Sequence, residues 1–483
     1  MTTQTTTLKR SLTTRHLTLI ALGGSIGTGL FVASGATISQ AGAAGALIAY
    51  ALIGTMVYFL MTSLGELSTY EPVSGSFATY GEKYVDAGFG FAMGVNYCFN
   101  WNVAVAVDLV AAQIVMQYWF PNVNGLIWSA LFLTVIFLLN FFSAKNFGEA
   151  ESWFASIKVF TVIVFIIVGL LMIVGVLKGE QNAGFHNWAV GEGAFVGGIP
   201  AILSVALVVG YSFQGTELIA VTAGETHNPS EAIPRAIRQI FWRILLFYVL
   251  SIFVISLLIP YTDPRLLQND ITDIAVSPFT LVFENAGLLS AAAVMNAIIL
   301  TTVLSAGNSG MYASTRMIYT LAKEGKLPAF LARLTPSGVP RNALYATTAI
   351  SALCFLTSLF EEQTVYLWLL NTTAMGGFIC WIGIAVCHYR FRKGYVLQGK
   401  CLKDLPYRSP FYPVGPIIAG SLCFLIATGQ NYQAIIHGRW MEALATYIGA
   451  ILFLSVWGGY RLLHRDCRLV KYEEMDLEPR QHG

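Results

Sequence analysis

Three ionisable side chains, Asp108, Lys158 and Glu217, stand inside long apolar runs of this chain. On insertion scales such a group costs about 2.5 to 3.5 kcal/mol at a helix centre, so it is kept where it pairs, binds or moves charge. Two interruptions of apolar helices add to this chemistry: Gly24-Ser25-Ile26-Gly27-Thr28-Gly29 and Tyr211-Ser212-Phe213-Gln214-Gly215-Thr216-Glu217. They fall at matching places in the two halves. Non-helical backbone at membrane depth is tolerated only where it lines a cavity or is buried in protein, and a paired defect of this kind points to a transporter's binding site.

The first defect suits a zwitterion. Glycines at 23, 24, 27 and 29 let the backbone leave helical geometry, so the amides of Gly27, Thr28 and Gly29 head the next half-helix and face a carboxylate with the positive dipole end behind them. Carbonyls freed near Ser25 then accept from an ammonium. The plainer alternative is a packing seam of the GxxxG type through Gly23 and Gly27. A phosphate-cradling loop is excluded, because no strand precedes the run and no basic residue lies inside it.

These residues need a membrane protein around them, and the composition supplies one. Hydrophobic residues make up 55% of 483 and charged residues 11%, with a mean hydropathy of +0.63, against about 25% charge in an average soluble domain. The net charge of +2 says little by itself, because in a membrane protein the placement of Lys and Arg matters and their sum does not; nucleic-acid binding has no support. Apolar runs of about 20 residues, the length of a span, number twelve: Leu17–Ala41, Ala46–Leu64, Phe89–Trp119, Leu126–Phe142, Ser152–Leu177, Gly197–Ala223, Phe241–Pro260, Leu288–Leu321, Ala343–Phe360, Val365–His388, Pro413–Ala427 and Leu444–Leu463. With the N-terminus inside, the outer connections hold only Lys178, Arg265 and Arg439 of 28 Lys and Arg. That bias places both termini in the cytoplasm. Lys9, Arg10 and Arg15 precede a first run without a cleavage site, so the first helix is expected to stay as the insertion signal. The seven cysteines fall in spans or inner segments, where disulfides are not expected.

The defects also set the organisation. Residues 1–16 form a cytoplasmic segment, 17–177 a first five-helix repeat, 197–390 a second, 413–463 helices eleven and twelve, and 464–483 a cytoplasmic tail. Five is odd, so the second unit enters from the opposite side and the repeat is inverted. Pro72 to Asp86 and Asn228 to Gln239 read as amphipathic cytoplasmic stretches, Tyr261 to Glu284 as short outer helices, and Arg461 to Gly483 as a solvated mixed-charge tail. Arg243 and Arg316 are placed at cytoplasmic span ends, and no His lies in mid-span. No metal centre is expected.

The segments GGSIGTGLFVASG, SLGELSTYEPVSGSFATYGEKYV, NWNVAVAVDLVAAQ, GYSFQGTELIAVTAGE and WLLNTTAMGGFICW, together with LLSAAAVMNAIILTTVLSAGNSGMYASTRM, resemble the amino acid permeases of the amino acid, polyamine and organocation superfamily. The similarity runs from about residue 8 to 470. It implies an all-α membrane protein with a LeuT-like core of ten helices, broken in helices 1 and 6, plus two more, in a bacterial inner membrane. It further implies no enzyme and no cofactor, with L-lysine, protons and membrane lipid as partners and uptake by proton symport; exchange, or a general cationic specificity, is the alternative. On this resemblance the substrate carboxylate rests on Thr28 and Gly29, and its α-ammonium on carbonyls of Ser25, Tyr211 and Gln214, with Tyr211 and Phe213 as gates. Ile26, Gly27 and Ser212 complete the two breaks. Gly310 stands where some relatives carry a guanidinium-stacking aromatic.

Three ionisable groups keep two readings each. Glu217 binds a proton or the substrate's ε-ammonium, or is a structural carboxylate bonded to amides of the first break. Asp108, eight residues after Asn100 and on the same helical face, recognises a cation, couples protons or sits in a polar network. Lys158 resembles the lysine that replaces sodium beside the first break in proton-coupled relatives, or it snorkels to the surface. Asn100, Asn102, Asn308 and Thr373 are candidate pocket-lining residues.

Overall fold

The computed structural model describes residues 8–479 apart from 9, 24, 25, 32, 178–183, 268–276, 289, 361 and 431. Its helices run in the order α1 (Thr14–Gly23), α2 (Thr28–Phe31), α3 (Ala33–Tyr70), α4 (Ser76–Tyr84), α5 (Ala87–Gln117), α6 (Gly125–Phe141), α7 (Ala144–Ile173), α8 (Gly198–Ser212), α9 (Leu218–Thr222), α10 (Pro229–Arg243), α11 (Leu250–Leu258), α12 (Pro264–Leu267), α13 (Pro278–Asn285), α14 (Ser290–Lys323), α15 (Arg341–Ser351), α16 (Glu362–Leu397), α17 (Val414–Gly429), α18 (Tyr432–Ile436) and α19 (Trp440–Leu463). Among the described residues there is no strand, only an isolated bridge between Leu12 and Thr226.

Eight helices among the described residues are long and apolar enough to cross a membrane, and α6 and α8 are shorter apolar helices. The difference from twelve apolar runs has local causes. The first and sixth runs are divided at their interruptions, and the ninth passes from α15 into a 3-10 helix, Ala352–Ser358. The first two runs meet inside α3 at Gly42, whose φ of 74° and ψ of 173° interrupt the helix. A Cβ there would fall 2.6 Å from the Ala194 carbonyl oxygen, which accepts from the amides of Ala44 and Gly45 at 3.0 and 3.3 Å. Glycine is therefore needed both for the left-handed backbone and for the close approach.

Helix α5 is the spine. Asp86 caps it, its side chain accepting from the Phe89 amide at 2.7 Å, and it packs against α4, α6, α14, α16 and α19. A helix buried on every side must be apolar all round, and α5 is buried along almost its whole length from Gly88 to Met116. Between α10 and α11 the chain makes a π-helical stretch, Ile244–Val249, which the apolar run of the seventh span does not announce. Such stretches occur mostly at functional sites.

Three segments correct the sequence reading. Pro72 to Asp86, read as an amphipathic stretch, has no exposed face: α4 is buried on nearly every residue, and Lys83 pairs with Glu71 at 3.0 Å. The tail, read as solvated, is exposed along most of its described length but docked at several points. Val470 donates to the Val85 carbonyl at 2.8 Å, Gln398 donates to the carbonyls of Tyr472 and Met475 at 2.9 Å each, and Lys83 reaches Glu478 O at 2.8 Å. Met475 and Leu477 are buried, so two apolar side chains anchor a segment whose charges suggest solvent. Helix α16, finally, continues past His388 to Leu397 and buries that histidine near Glu66. There Arg392 and the Ser409 amide also donate to the Glu66 carboxylate. By contrast, Asn228 to Gln239 behaves as read, with Ala232, Ile233, Ala236, Ile237 and Ile240 on the buried face of α10. The outer segment does contain short helices, α12 and α13, and in it Asp263 pairs with Arg265 at 2.7 Å. Partial burial raises the Asp263 carboxyl, but the bonds and charge of Arg265 outweigh this and hold it below its ordinary value.

Burying each of Met475 and Leu477 is worth about 1.5 to 3 kcal/mol. A Met475→Asp, Leu477→Asp variant is therefore predicted to lose several degrees of melting temperature in detergent. An unchanged melting curve is the result a solvated tail would give.

Candidate functional site

The two broken helices touch. Helix α8 ends at Ser212, Phe213 to Glu217 form a turn with Gly215 at φ 96°, and α9 resumes at Leu218. The first break carries Ile26, fully buried, and Gly27, whose carbonyl accepts from the amides of Leu30 and Phe31 at 3.2 Å each. A Cβ on Gly29 would lie 2.5 Å from Ser212 Cα, so the absence of a side chain at 29 is what lets the breaks meet. Gly24 and Ser25 lie outside the described residues, as does the Thr28 side chain. Thr28 and Gly29 head α2, where the first amides of a helix lack intrahelical partners.

The freed backbone of the second break is partly clasped. Tyr248, on the π-helical stretch, donates to the Ser212 carbonyl at 2.9 Å, and its ring stacks on Phe213 at 4.1 Å. The Ser212 hydroxyl donates to Val208 O. The Tyr211 carbonyl accepts from the Gln214 amide at 3.1 Å. Phe213 is fully buried against Tyr248, 6.3 Å from Tyr50.

Helix α16 closes this group. Gln214 donates through Nε2 to the carbonyls of Thr373 and Ala374 at 3.3 and 3.4 Å, and the Thr373 hydroxyl donates to Asn100 Oδ1 at 2.9 Å. A Cβ on Gly377 would fall 2.0 Å from Gln214 Nε2, and one on Gly376 would fall 2.8 Å from Asn100 Oδ1. The Glu217 carboxylate accepts from the Gly215 amide at 3.2 and 3.3 Å and from Trp381 Nε1 at 3.4 Å. Its bonds thus run to its own turn and to α16. Glu217, Gln214, Thr373 and Asn100 form one connected group around the breaks.

Asp108 and Lys158 belong to a second group. Lys158, fully buried, lies 4.0 Å from Glu151 Oε1, and it acts electrostatically on Asp108. A Cβ on Gly307 of α14 would be 3.7 Å from Asp108 Cβ. Asn308 Oδ1 accepts from Asn140 at 2.9 Å beside it. Asn102 is tied to helix packing, donating to Cys98 O and Ser314 Oγ at 2.8 Å each. Gly310 does not open onto a pocket: a Cβ there would meet Trp101 Cε3 at 2.8 Å, so the room left by the missing side chain is filled from α5.

Several charged groups escaped the sequence reading. Glu151 was assigned to the segment before the fifth span, although it lies seven residues before Lys158 and so on the same helical face. Arg316, placed at a span end, is buried and paired with Glu225 at 2.8 Å, and Tyr312 donates to the same carboxylate at 2.6 Å. Arg243 is also buried, and none of its guanidinium nitrogens has a hydrogen-bond partner. Trp381 carried no signal at all. Among the described residues no cluster of His, Cys, Asp and Glu is placed to hold a metal ion.

The geometry describes a buried polar interior built around two opposed helix breaks. The amino acid permease family pattern matches residues 16–472. The chain is 67% identical over 476 residues to the lysine-specific permease LysP of Escherichia coli strain K12, covering 98% of this chain and 97% of that protein. It is 48% identical to the lysine-specific permease LysP of Lactococcus lactis, covering 98% and 93%, and 48% identical to the histidine permease HisP of the same organism, covering 97% and 98%. These relatives are transporters rather than enzymes, and the chain belongs with them to the amino acid permease family, as a multi-pass protein of the bacterial inner membrane.

Proposed function

We propose that this permease imports L-lysine across the inner membrane by proton symport with alternating access. In this reading twelve helices cross the membrane, ten in a LeuT-like inverted five-plus-five repeat, with both termini cytoplasmic. The meeting of Gly29 with Ser212 carries the proposal, because it sets the amides heading α2 and the loosened backbone of the Phe213–Glu217 turn against one another. A carboxylate takes the amides of Thr28 and Gly29, an α-ammonium takes carbonyls of Ser25, Tyr211 and Gln214, and Glu217 supplies negative charge for a cationic side chain. The lysine assignment draws on the 67% identity to a lysine-specific permease. Identity alone does not choose, since a histidine permease stands at 48%.

Lysine is a compact, strongly hydrated ammonium on a flexible stem and needs several acceptors, whereas arginine's planar fork favours bidentate or stacked partners. A neutral amino acid brings no ammonium to this buried acid and so forfeits the ion pair that a cationic one would form. Symport of lysine with one proton moves two positive charges inward, which at 100 mV is about 4.6 kcal/mol, or roughly three decades of accumulation.

Reconstituted protein is predicted to accumulate labelled lysine into empty vesicles under an imposed proton gradient. Uptake only into lysine-loaded vesicles would replace symport by exchange. Excess unlabelled lysine should compete fully, arginine and ornithine much less, and leucine not at all; competition by leucine would sink the cationic pocket.

Orientation is tested separately, on a cysteine-free background. A cysteine at Asn124, exposed at the start of α6, should react with an impermeant thiol reagent from outside, and one at exposed Ser337 should not. Outside labelling of Ser337 refutes the inverted arrangement.

A further inference from the structure

Glu151 sits in the second turn of α7, wholly buried, and Ser305 of α14 donates to its Oε1 at 2.6 Å. Lys158 approaches the same oxygen at 4.0 Å. The helix explains how a residue two turns away reaches it: side chains tilt toward the N-terminus, so the long Lys158 stem points back at Glu151. Asp108 enters from α5, also buried. Two buried carboxyls, on α5 and α7, thus act electrostatically on one buried ammonium. Glu151 Oε2 and Asp108 Oδ1 have no hydrogen-bond partner.

The charges do not balance when all three groups are ionised. One carboxylate then lacks a counter-charge, which costs several kcal/mol in a dry site, whereas a neutral carboxyl with an unmatched hydroxyl costs far less. One added proton makes the group neutral. The other charged or titratable groups near this end of α7 are already engaged: His16 of α1 pairs with Glu149 at 3.1 Å, while Tyr312 and Arg316 of α14 are bonded to Glu225. None of them is free to supply the missing positive charge.

We propose that two buried carboxyls, Glu151 with its Ser305 hydroxyl bond and Asp108, share beside Lys158 the one proton that travels with the substrate. This rests on the symport reading and adds a residue to it. The step is a simple protonation: a proton from the outer solution converts one carboxylate of the pair to the acid, and the same proton leaves to the cytoplasm when that carboxylate re-forms. Because the group joins three helices, its occupancy changes their mutual attraction. Neutral, it closes without an unpaired charge; deprotonated, it draws water in and favours separation of α7 from α5 and α14.

The test measures, in proteoliposomes at fixed membrane potential, the lysine ratio at which net flux vanishes. With one proton per lysine, a pH gradient of one unit should shift that ratio about tenfold in the wild type and less than about twofold in Glu151→Gln, while Glu151→Asp restores the shift. A lysine-induced rise in melting temperature reports that each variant is folded. A wild type that follows the pH gradient with an equally responsive Glu151→Gln overturns the proton site alone, whereas a wild type indifferent to the gradient overturns the symport reading and the site with it. Should Glu151→Gln fail to fold, Ser305→Ala removes only the hydroxyl bond to Oε1. It should move the pH midpoint of uptake, and an unmoved midpoint overturns the site.

Discussion

The rule that hydrocarbon leaves no backbone polar group unsatisfied governs this molecule. A helix that breaks at membrane depth exposes amides and carbonyls that need partners from elsewhere in the protein. The second break shows how these are found: Tyr248 takes the Ser212 carbonyl, Glu217 takes the Gly215 amide, and the Thr216 hydroxyl takes the Phe213 carbonyl. Each partner must be held in place by packing. The aromatic stack of Phe213 on Tyr248 and the π-helical turn that carries Tyr248 belong to that scaffold.

Close packing depends in turn on missing side chains. Gly29 against Ser212, Gly377 against Gln214 and Gly376 against Asn100 are contacts that no Cβ would allow. They bring α2, α8, α5 and α16 within hydrogen-bonding range of one another. A glycine here is thus a distance constraint, which explains why small residues crowd helix interfaces where no hydrophobic force drives association.

Much of this was legible in the chain. Apolar runs mark helices because composition alone selects them, and the two glycine-containing breaks stand out because polar and small residues are expensive there. Asn100 and Thr373, read as candidate lining residues, stand beside Gln214 of the second break, where broken backbone draws polar partners. Glu151 was not legible: its sequence neighbours look solvated, and its burial comes from Ser305 and Lys158, one of them 154 positions away. The docking of the tail was hidden for the same reason, as Met475 packs at Gly394 and Lys83 reaches the Glu478 carbonyl. Gly310 shows the converse error. A missing side chain says that room exists but not which neighbour takes it, and Trp101 does.

The pattern of ion pairs narrows which acid is able to meet a cationic cargo. Glu66 is taken by Arg392 and the Ser409 amide, Glu225 by Arg316 and Tyr312, and Glu71 by Lys83. Glu151 and Asp108 share Lys158. Glu217 differs: its bonds are long, 3.2 to 3.4 Å, and come from an amide and an indole. The cation within electrostatic reach is Arg243, whose guanidinium makes no hydrogen bond to it or to anything else. A carboxylate held this loosely retains capacity to accept from an ammonium, and a buried guanidinium so placed offsets its charge when no cargo is bound. On this reasoning the proposed lysine site draws on the weakly bonded Glu217, rather than on any of the tightly paired acids, to distinguish a basic amino acid from a neutral one.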